Sequence, residues 1–292
     1  MNIRTFSFEH PILMALCLLF VAGLFRLNDI FVLRLDERWG EIIVSKAVGL
    51  VVLLVFLFAA GAGLPAAGLH SRGVVPSLLL GVGLTCAALL FGYAAEYVAA
   101  AKRGVHPVIQ FAAIDPKTGL MGALGFAILL LFGNIVNSFA EEGLFRGVFI
   151  PLSRRELDPW PTLIFSALLF GVWHLPWAIK AVINQSSVVH VNIASALVAN
   201  FVPQVLMGVV WGYLYLRTGN LWGSWAAHTL TNSALNFIHV RTAEAVDAGL
   251  SVRMGVFTVL MLLGMFVIWS VSKQLHLPQA QPWGLQLWDV RR

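Results

Sequence analysis

Three short patterns carry the polar chemistry of an otherwise apolar chain. The first is EEGLFR, which places Glu141, Glu142 and Arg146 at the end of an apolar run. The second is FGVWH, Phe170 to His174, and the third is HTLTN, His228 to Asn232. A carboxylate such as Glu141 can act as a general base toward water. A neutral histidine can orient that water, and a histidine–asparagine pair can donate hydrogen bonds to an oxyanion. One glutamate with two histidines, here Glu141, His174 and His228, is also a familiar zinc-binding set. Either arrangement suits hydrolysis of an amide bond, and the residues leave both open.

Helical spacing groups these residues further. Asn134, Asn137 and Glu141 fall at i, i+3 and i+7 and share one face, with Ser138 and Glu142 beside them. Glu142 and Arg146 stand at i, i+4 in the order that favours an ion pair. The plain reading of the charges is a helix-end salt bridge near the headgroups. It suits Glu142 and Arg146 better than Glu141, because one arginine does not easily neutralise two adjacent carboxylates. Phe170–His174 and His228–Asn232 are i, i+4 pairs, and Pro176 is expected to kink or end its helix. Asn200 and Gln204, again i, i+4, are expected to hydrogen-bond between helices, a common use of amides in membranes. Ser224 precedes His228 by four residues, but a Ser–His dyad leaves both glutamates and His174 unexplained.

The elements that must position these groups are membrane helices. Hydrophobic residues make up 59% of the 292 and charged residues 11%, against roughly 25% charged in soluble domains. Mean hydropathy is +0.84. This composition excludes a soluble protein. The net charge is +5, but the basic residues are scattered through short loops, which fits membrane flanks and gives no nucleic-acid partner. Lys and Arg divide almost evenly between the two faces, so orientation is not readable. Cys17 and Cys86 lie in apolar runs and are expected to be buried as small hydrophobes. A spanning helix needs about 20 mostly apolar residues. Eight segments approach that length: 11–33, 42–64, 74–99, 120–141, 161–181, 196–216, 220–240 and 254–273. The expected fold is all-α, a polytopic transmembrane bundle of about eight helices with the active site inside. Arg26, Asn28 and Asp29 follow the first apolar run, which reads as a retained helix rather than a cleaved signal. The second and eighth segments are almost purely apolar and are expected to face lipid without chemistry. The tail, 274–292, reads as interfacial, and the ten tryptophans as an interfacial belt. Ionisable groups inside spans are functional candidates, and polar residues concentrate in segments four to seven.

Taken in order, EExxxR, FxxxH and HxxxN resemble the CPBP family of intramembrane proteases (CAAX proteases and bacteriocin-processing proteins, also called Abi), which includes the type II CAAX prenyl endopeptidases. The resemblance covers about residues 120–240 and implies roles. Glu141 activates the attacking water, His174 assists, and His228 with Asn232 polarises the scissile carbonyl. Glu142 and Arg146 support the site's electrostatics. The family has been described both as zinc metalloproteases and as metal-free glutamate proteases, so Zn2+ held by Glu141, His174 and His228 and a site with no metal are both implied options. The implied organisation is 1–119 for the N-terminal helices, 120–240 for the catalytic core, and 241–292 for the last helix and tail, in one membrane domain. The implied partners are the lipid bilayer and a peptide or lipidated protein substrate, with prenylated CAAX termini as one option. The implied location is a multi-pass place in a membrane, the plasma membrane if the host is bacterial. The rival readings are a bacteriocin-immunity protein that binds peptide without cutting and a transporter. No paired halves with matching broken helices support the transporter.

Overall fold

Backbone amides inside a bilayer must bond within their own segment, so apolar runs of this length form helices. The computed structural model describes residues 2–39, 43–116, 118–184, 192–243 and 245–284. The short α1 (Ile3–Glu9) leads into α2 (Pro11–Leu27), which Pro11 starts and a π-helical turn, Asn28–Leu33, extends. The short α3 (Leu35–Trp39) and then α4 (Ile43–Ala59) follow. A 3-10 turn over Leu64–Ala67 precedes α5 (Val74–Lys102). Three short strands come next: β1 (Val108–Phe111), β2 (Ala113–Ile114) and β3 (Met121–Gly122). Then come α6 (Leu124–Glu142), a second π-helical segment (Gly143–Phe149) and α7 (Ile150–Ser153). The remaining elements are α8 (Pro159–Ile183), α9 (Ile193–Thr218), α10 (Leu221–Phe237), β4 (Ile238–Arg241) and α11 (Leu250–Gln274).

The all-α membrane bundle is as expected, but the count of eight spans is not confirmed. Among the described residues six helices are long and apolar enough to cross a membrane: 11–33, 74–102, 124–153, 159–183, 193–218 and 250–274. The second and seventh expected spans form α4 and α10, each of 17 residues. Glycines and a proline in AAGAGLP stop α4, with Gly61 at φ +65°. At the far end of α10 the chain turns into β4, which pairs antiparallel with β1 from Val108↔Arg241 to Phe111↔Ile238. The long loop around 100–119 therefore folds as a ribbon, and β2 pairs with β3 through Ile114↔Met121. Pro176 does not end α8, which continues seven residues further to Ile183. Cys17 and Cys86 are exposed rather than buried. The tail is not simply interfacial either. Trp283 is buried, donates from its backbone to Pro151 O at 2.9 Å, and packs edge-on against Phe56 with ring centroids 5.5 Å apart. Residues 285–292 of that expected segment lie outside the described residues.

Close helix contacts hold the bundle. α8 packs along α9, and α5 packs along both α10 and α11. Gly81 of α5 meets Gly223 of α10 so closely that a Cβ on Gly81 would collide with the Gly223 carbonyl. Small residues allow this approach where no hydrophobic force separates lipid from protein. A buried charge cluster ties α5 and α11 to β4. Arg253 Nε donates to Glu96 Oε2 at 2.6 Å, and its Nη2 pairs with Asp247. Its guanidinium stands 4.2 Å above the Tyr93 ring. Tyr93 Oη lies 2.8 Å from Ala234 O and 2.7 Å from Ile238 O, where α10 gives way to β4.

His239 of β4 completes this cluster. Its Nδ1 lies 2.7 Å from Asp247 Oδ2, and its Nε2 lies 3.2 Å from Ala112 O and 3.3 Å from Asn236 O. Carbonyls only accept, so both ring nitrogens are placed to donate, as in an imidazolium. Burial opposes that charge, but the Asp247 carboxylate outweighs it and holds the His239 pKa above its ordinary value. Burial likewise opposes the Asp247 charge, while bonds from His239, Val240 N and Arg253 hold its pKa below the ordinary value. The His239 contribution is thus full below the unfolded histidine pKa and is lost as pH rises through the folded one. The Asp247 contribution is full above the unfolded aspartate pKa and is lost as pH falls through its folded one. We therefore predict faster amide exchange in β1 and β4 at about pH 8.5 than at about pH 5.5, after correction for intrinsic rates. Protection that is equal at both values, or greater at the higher one, would refute this.

Candidate active site

The site is built at the end of α6, where adjacent residues point apart. Successive helical side chains diverge by about 100°, so Glu141 and Glu142 face different partners. The next seven residues, Gly143–Phe149, are π-helical and all buried. Single π turns inside α-helices are frequent at functional sites. Two glycines make this turn packable. A Cβ on Gly143 would strike Leu53 of α4, and one on Gly147 would sit 3.0 Å from Ala67 O in the 3-10 turn.

Each carboxylate has its own arginine. Glu142 Oε1 lies 3.1 Å from Arg146 Nη1 and 2.9 Å from His228 Nδ1. Glu141 Oε1 lies 3.3 Å from Arg26 Nη1 and accepts from Trp173 Nε1 at 2.8 Å. Arg146 is fully buried, with its guanidinium 4.3 Å above Phe170 and 5.6 Å from Trp211. Arg26 stands 4.4 Å above the Trp173 ring. Such stacking contributes about 2 kcal/mol when the cation is desolvated. Burying a lone charge costs several kcal/mol, so two carboxylates here need two cations. The pairs are not the headgroup salt bridge of the plain sequence reading, since all four side chains are buried.

The histidine tautomers follow from their partners. His174 Nδ1 lies 2.8 Å from Phe170 O, and a carbonyl can only accept, so Nδ1 carries the proton. Its Nε2 is then a lone pair when the ring is neutral. His228 Nδ1 similarly donates to Glu142, and its Nε2 lies 3.8 Å from Glu141 Oε2. Trp211 stacks on His228 with ring centroids 4.4 Å apart and planes 19° apart. Phe170 touches the rings of both His174 and His228 edge-on. The phenylalanine of FxxxH therefore fixes three site residues, Arg146 included.

Glu141, His174, His228 and Asn232 share the wall of one cavity of about 670 Å³. His174 and His228 each lie nine residues before the ends of their helices, α8 and α10, or about 14 Å along the axis. Asp36, Asp115 and Thr118 line the same cavity from the loops. Asn137, Asn200 and Gln204 also face it. Asn200 bonds within its own helix, to Ala196 O at 2.9 Å, so the expected interhelical role of this amide is replaced by a cavity wall. Asn134 instead braces α10, donating to Asn236 Oδ1 at 2.9 Å. Ser224 donates to Leu221 O at 3.0 Å while His228 engages Glu142, which leaves no Ser–His dyad.

Several site residues came from places the sequence reading set aside. Arg26 stood at the end of the first apolar run, and Trp173 and Trp211 were counted in an interfacial belt. Ser45 and Lys46 of α4 and Met254 and Thr258 of α11 border the site, although both segments were expected to face lipid only. Among the described residues no three His, Cys, Asp or Glu side chains are grouped to hold a metal ion. Glu141 Oε1 is already taken by Arg26 and Trp173. Glu141 Oε2, His174 Nε2 and His228 Nε2 are the atoms that would hold Zn2+ if it were bound.

Residues 123–234 match the family model of the Rce1-like type II CAAX prenyl endopeptidases. The matched segment contains EExxxR, FxxxH and HxxxN, all on α6 to α10. No curated protein and no solved structure matches the chain.

The ion pairs make one stability prediction. Arg146→Met leaves Glu142 buried without its guanidinium and should cost about 3–5 kcal/mol. The double variant Arg146→Met/Glu142→Gln should cost less than Arg146→Met alone, as read by thermal unfolding in detergent. A single variant that melts like the parent chain would contradict the pairing.

Proposed function

Proceeding from the Rce1-like match, we propose that this multi-pass membrane protein is a peptidase that cuts a peptide or protein substrate inside the bundle, with Glu141 as the base. The observation that carries this reading is Glu141 Oε2. It is buried, has no hydrogen-bond partner among the described residues, and belongs to a side chain lining the cavity. Arg26 and Trp173 occupy the other oxygen, so the carboxylate is anchored on one side and reactive on the other.

In this reading a water donates one proton toward Glu141 Oε2 and the other toward His174 Nε2. Glu141 takes the first proton as the water oxygen adds to the scissile carbonyl carbon. The oxyanion formed accepts from the Asn232 amide, which donates in every protonation state. His228 can donate from Nε2 only as an imidazolium, because Nδ1–H is committed to Glu142. The proton held by Glu141 then passes to the leaving nitrogen, the C–N bond breaks as the oxyanion collapses to a carbonyl, and a carboxylic acid and an amine result, which become carboxylate and ammonium by transfer of the acid proton. Glu142 and Arg146 keep His228 in this tautomer and act as supports. The cavity wall of amides suits the N–H and C=O groups of an extended peptide.

The test uses full-length protein in detergent with fluorogenic peptides, with and without a farnesylated CAAX terminus. Glu141→Gln should lower kcat by about 10²–10⁴-fold, and Asn232→Ala by about 10²–10³-fold. Cleavage should continue after exhaustive chelation. Undiminished cleavage by Glu141→Gln would overturn the mechanism. Peptide binding with no cleavage by the parent chain would favour the immunity-type reading instead, and activity lost to chelator and restored by Zn2+ would favour the metal one.

A further inference from the structure

Arg26 belongs to none of the three motifs and lies outside the matched segment 123–234, yet it reaches the central carboxylate from α2. Arg26 and Glu141 are each about 4% exposed, so their charges are withdrawn together from water. The contact spans 115 residues of sequence. Trp173, next to His174, donates to the same oxygen at 2.8 Å while its ring lies under the guanidinium. Arg26, Trp173 and Glu141 Oε1 thus form a closed three-way contact. Rotation of the carboxylate would break the ion pair and the indole hydrogen bond at once.

We infer that Arg26 is a positioning residue for the proposed reaction: it pins Glu141 through Oε1 and leaves Oε2 turned to the cavity. The inference rests on Glu141 being the base. Its further content is that the functional unit is larger than 123–234, because α2 supplies the countercharge that the motif region lacks for its first glutamate. Arg146 does not serve in its place, since it is 3.1 Å from Glu142 and enclosed by Phe170 and Trp211. Lysine can keep the charge at position 26 but not the planar stack on Trp173.

The test compares Arg26→Gln, Arg26→Lys and Trp173→Phe in the full-length chain, with a fluorogenic farnesylated CAAX peptide as probe. Misplacing a catalytic group by about 1 Å can cost about 100-fold. Arg26→Gln should therefore lose about 100-fold in kcat with KM within about twofold. Arg26→Lys should recover part of that loss, and Trp173→Phe should show a smaller loss of the same type. A second measurement is independent of turnover: melting temperatures of Arg26→Gln, Glu141→Gln and the double variant. Each single change strands one buried charge, so the double variant should melt higher than the sum of the single penalties predicts. An Arg26→Gln enzyme with unchanged kcat, or strictly additive melting penalties, would overturn the inference. If Glu141→Gln still cleaves, the functional reading fails while the melting cycle continues to test the Arg26–Glu141 contact.

Discussion

Two adjacent carboxylates buried in an apolar bundle set the terms for everything around them. Each needs a cation nearby to offset the cost of burial, and each has a different guanidinium beside it. The helix resolves this by pointing Glu141 and Glu142 about 100° apart. Each direction then needs its own guanidinium, its own aromatic platform and its own donor. Arg26 on Trp173 serves one, and Arg146 between Phe170 and Trp211 serves the other. The placement of α2 and α8 around the end of α6, and of α10 beside Glu142, follows from that requirement.

The rest of the molecule holds this balanced pair beside the cavity. Packing through Gly81 and Gly223 brings α10, with His228, tightly against α5. The Glu96–Arg253–Asp247–His239 cluster fixes β4 where α10 ends, and β4 holds β1. Asn236 passes this order toward the site by bonding both Ile114 O and Asn134. The loop residues that border the cavity are therefore tied to helices.

Much of the site could be read from sequence because its chemistry is local. EExxxR, FxxxH and HxxxN each pair residues four apart or less on one helix, and helical periodicity puts them on one face. Most helices were also readable, since apolar length decides them. What stayed hidden was non-local. Arg26 looked like the polar edge of a span, because nothing near it in sequence says that Glu141 lies beside it. Trp173 and Trp211 looked like interfacial tryptophans, because composition does not tell a ring facing lipid from a ring under a guanidinium. Arg253 and Glu96 find each other across 157 residues. The β ribbon is hard to read because its strands are four residues or shorter and its outer pair, β1 and β4, is separated by nearly half the chain. α10 was overextended because β4 continues its apolar character after the helix ends.

The π-helical segment after Glu142 bears on how the spacing of the first motif is read. A π turn holds one residue more than the α turn it replaces. Residues 143–149 therefore carry a fixed phase offset between α6 and the chain beyond it. Loss of any one residue in this stretch would let an ordinary α-helix form. The wider turn absorbs the extra residue, so such a loss would leave the flanking segments near their present phase and remove one buried side chain from the turn. Ordinary helix-wheel reasoning treats EExxxR as a pattern of residue types at α-helical intervals. Here the pattern includes the width of the turn, so an α-helical wheel drawn through these seven positions gives the chain beyond them a phase that it does not have.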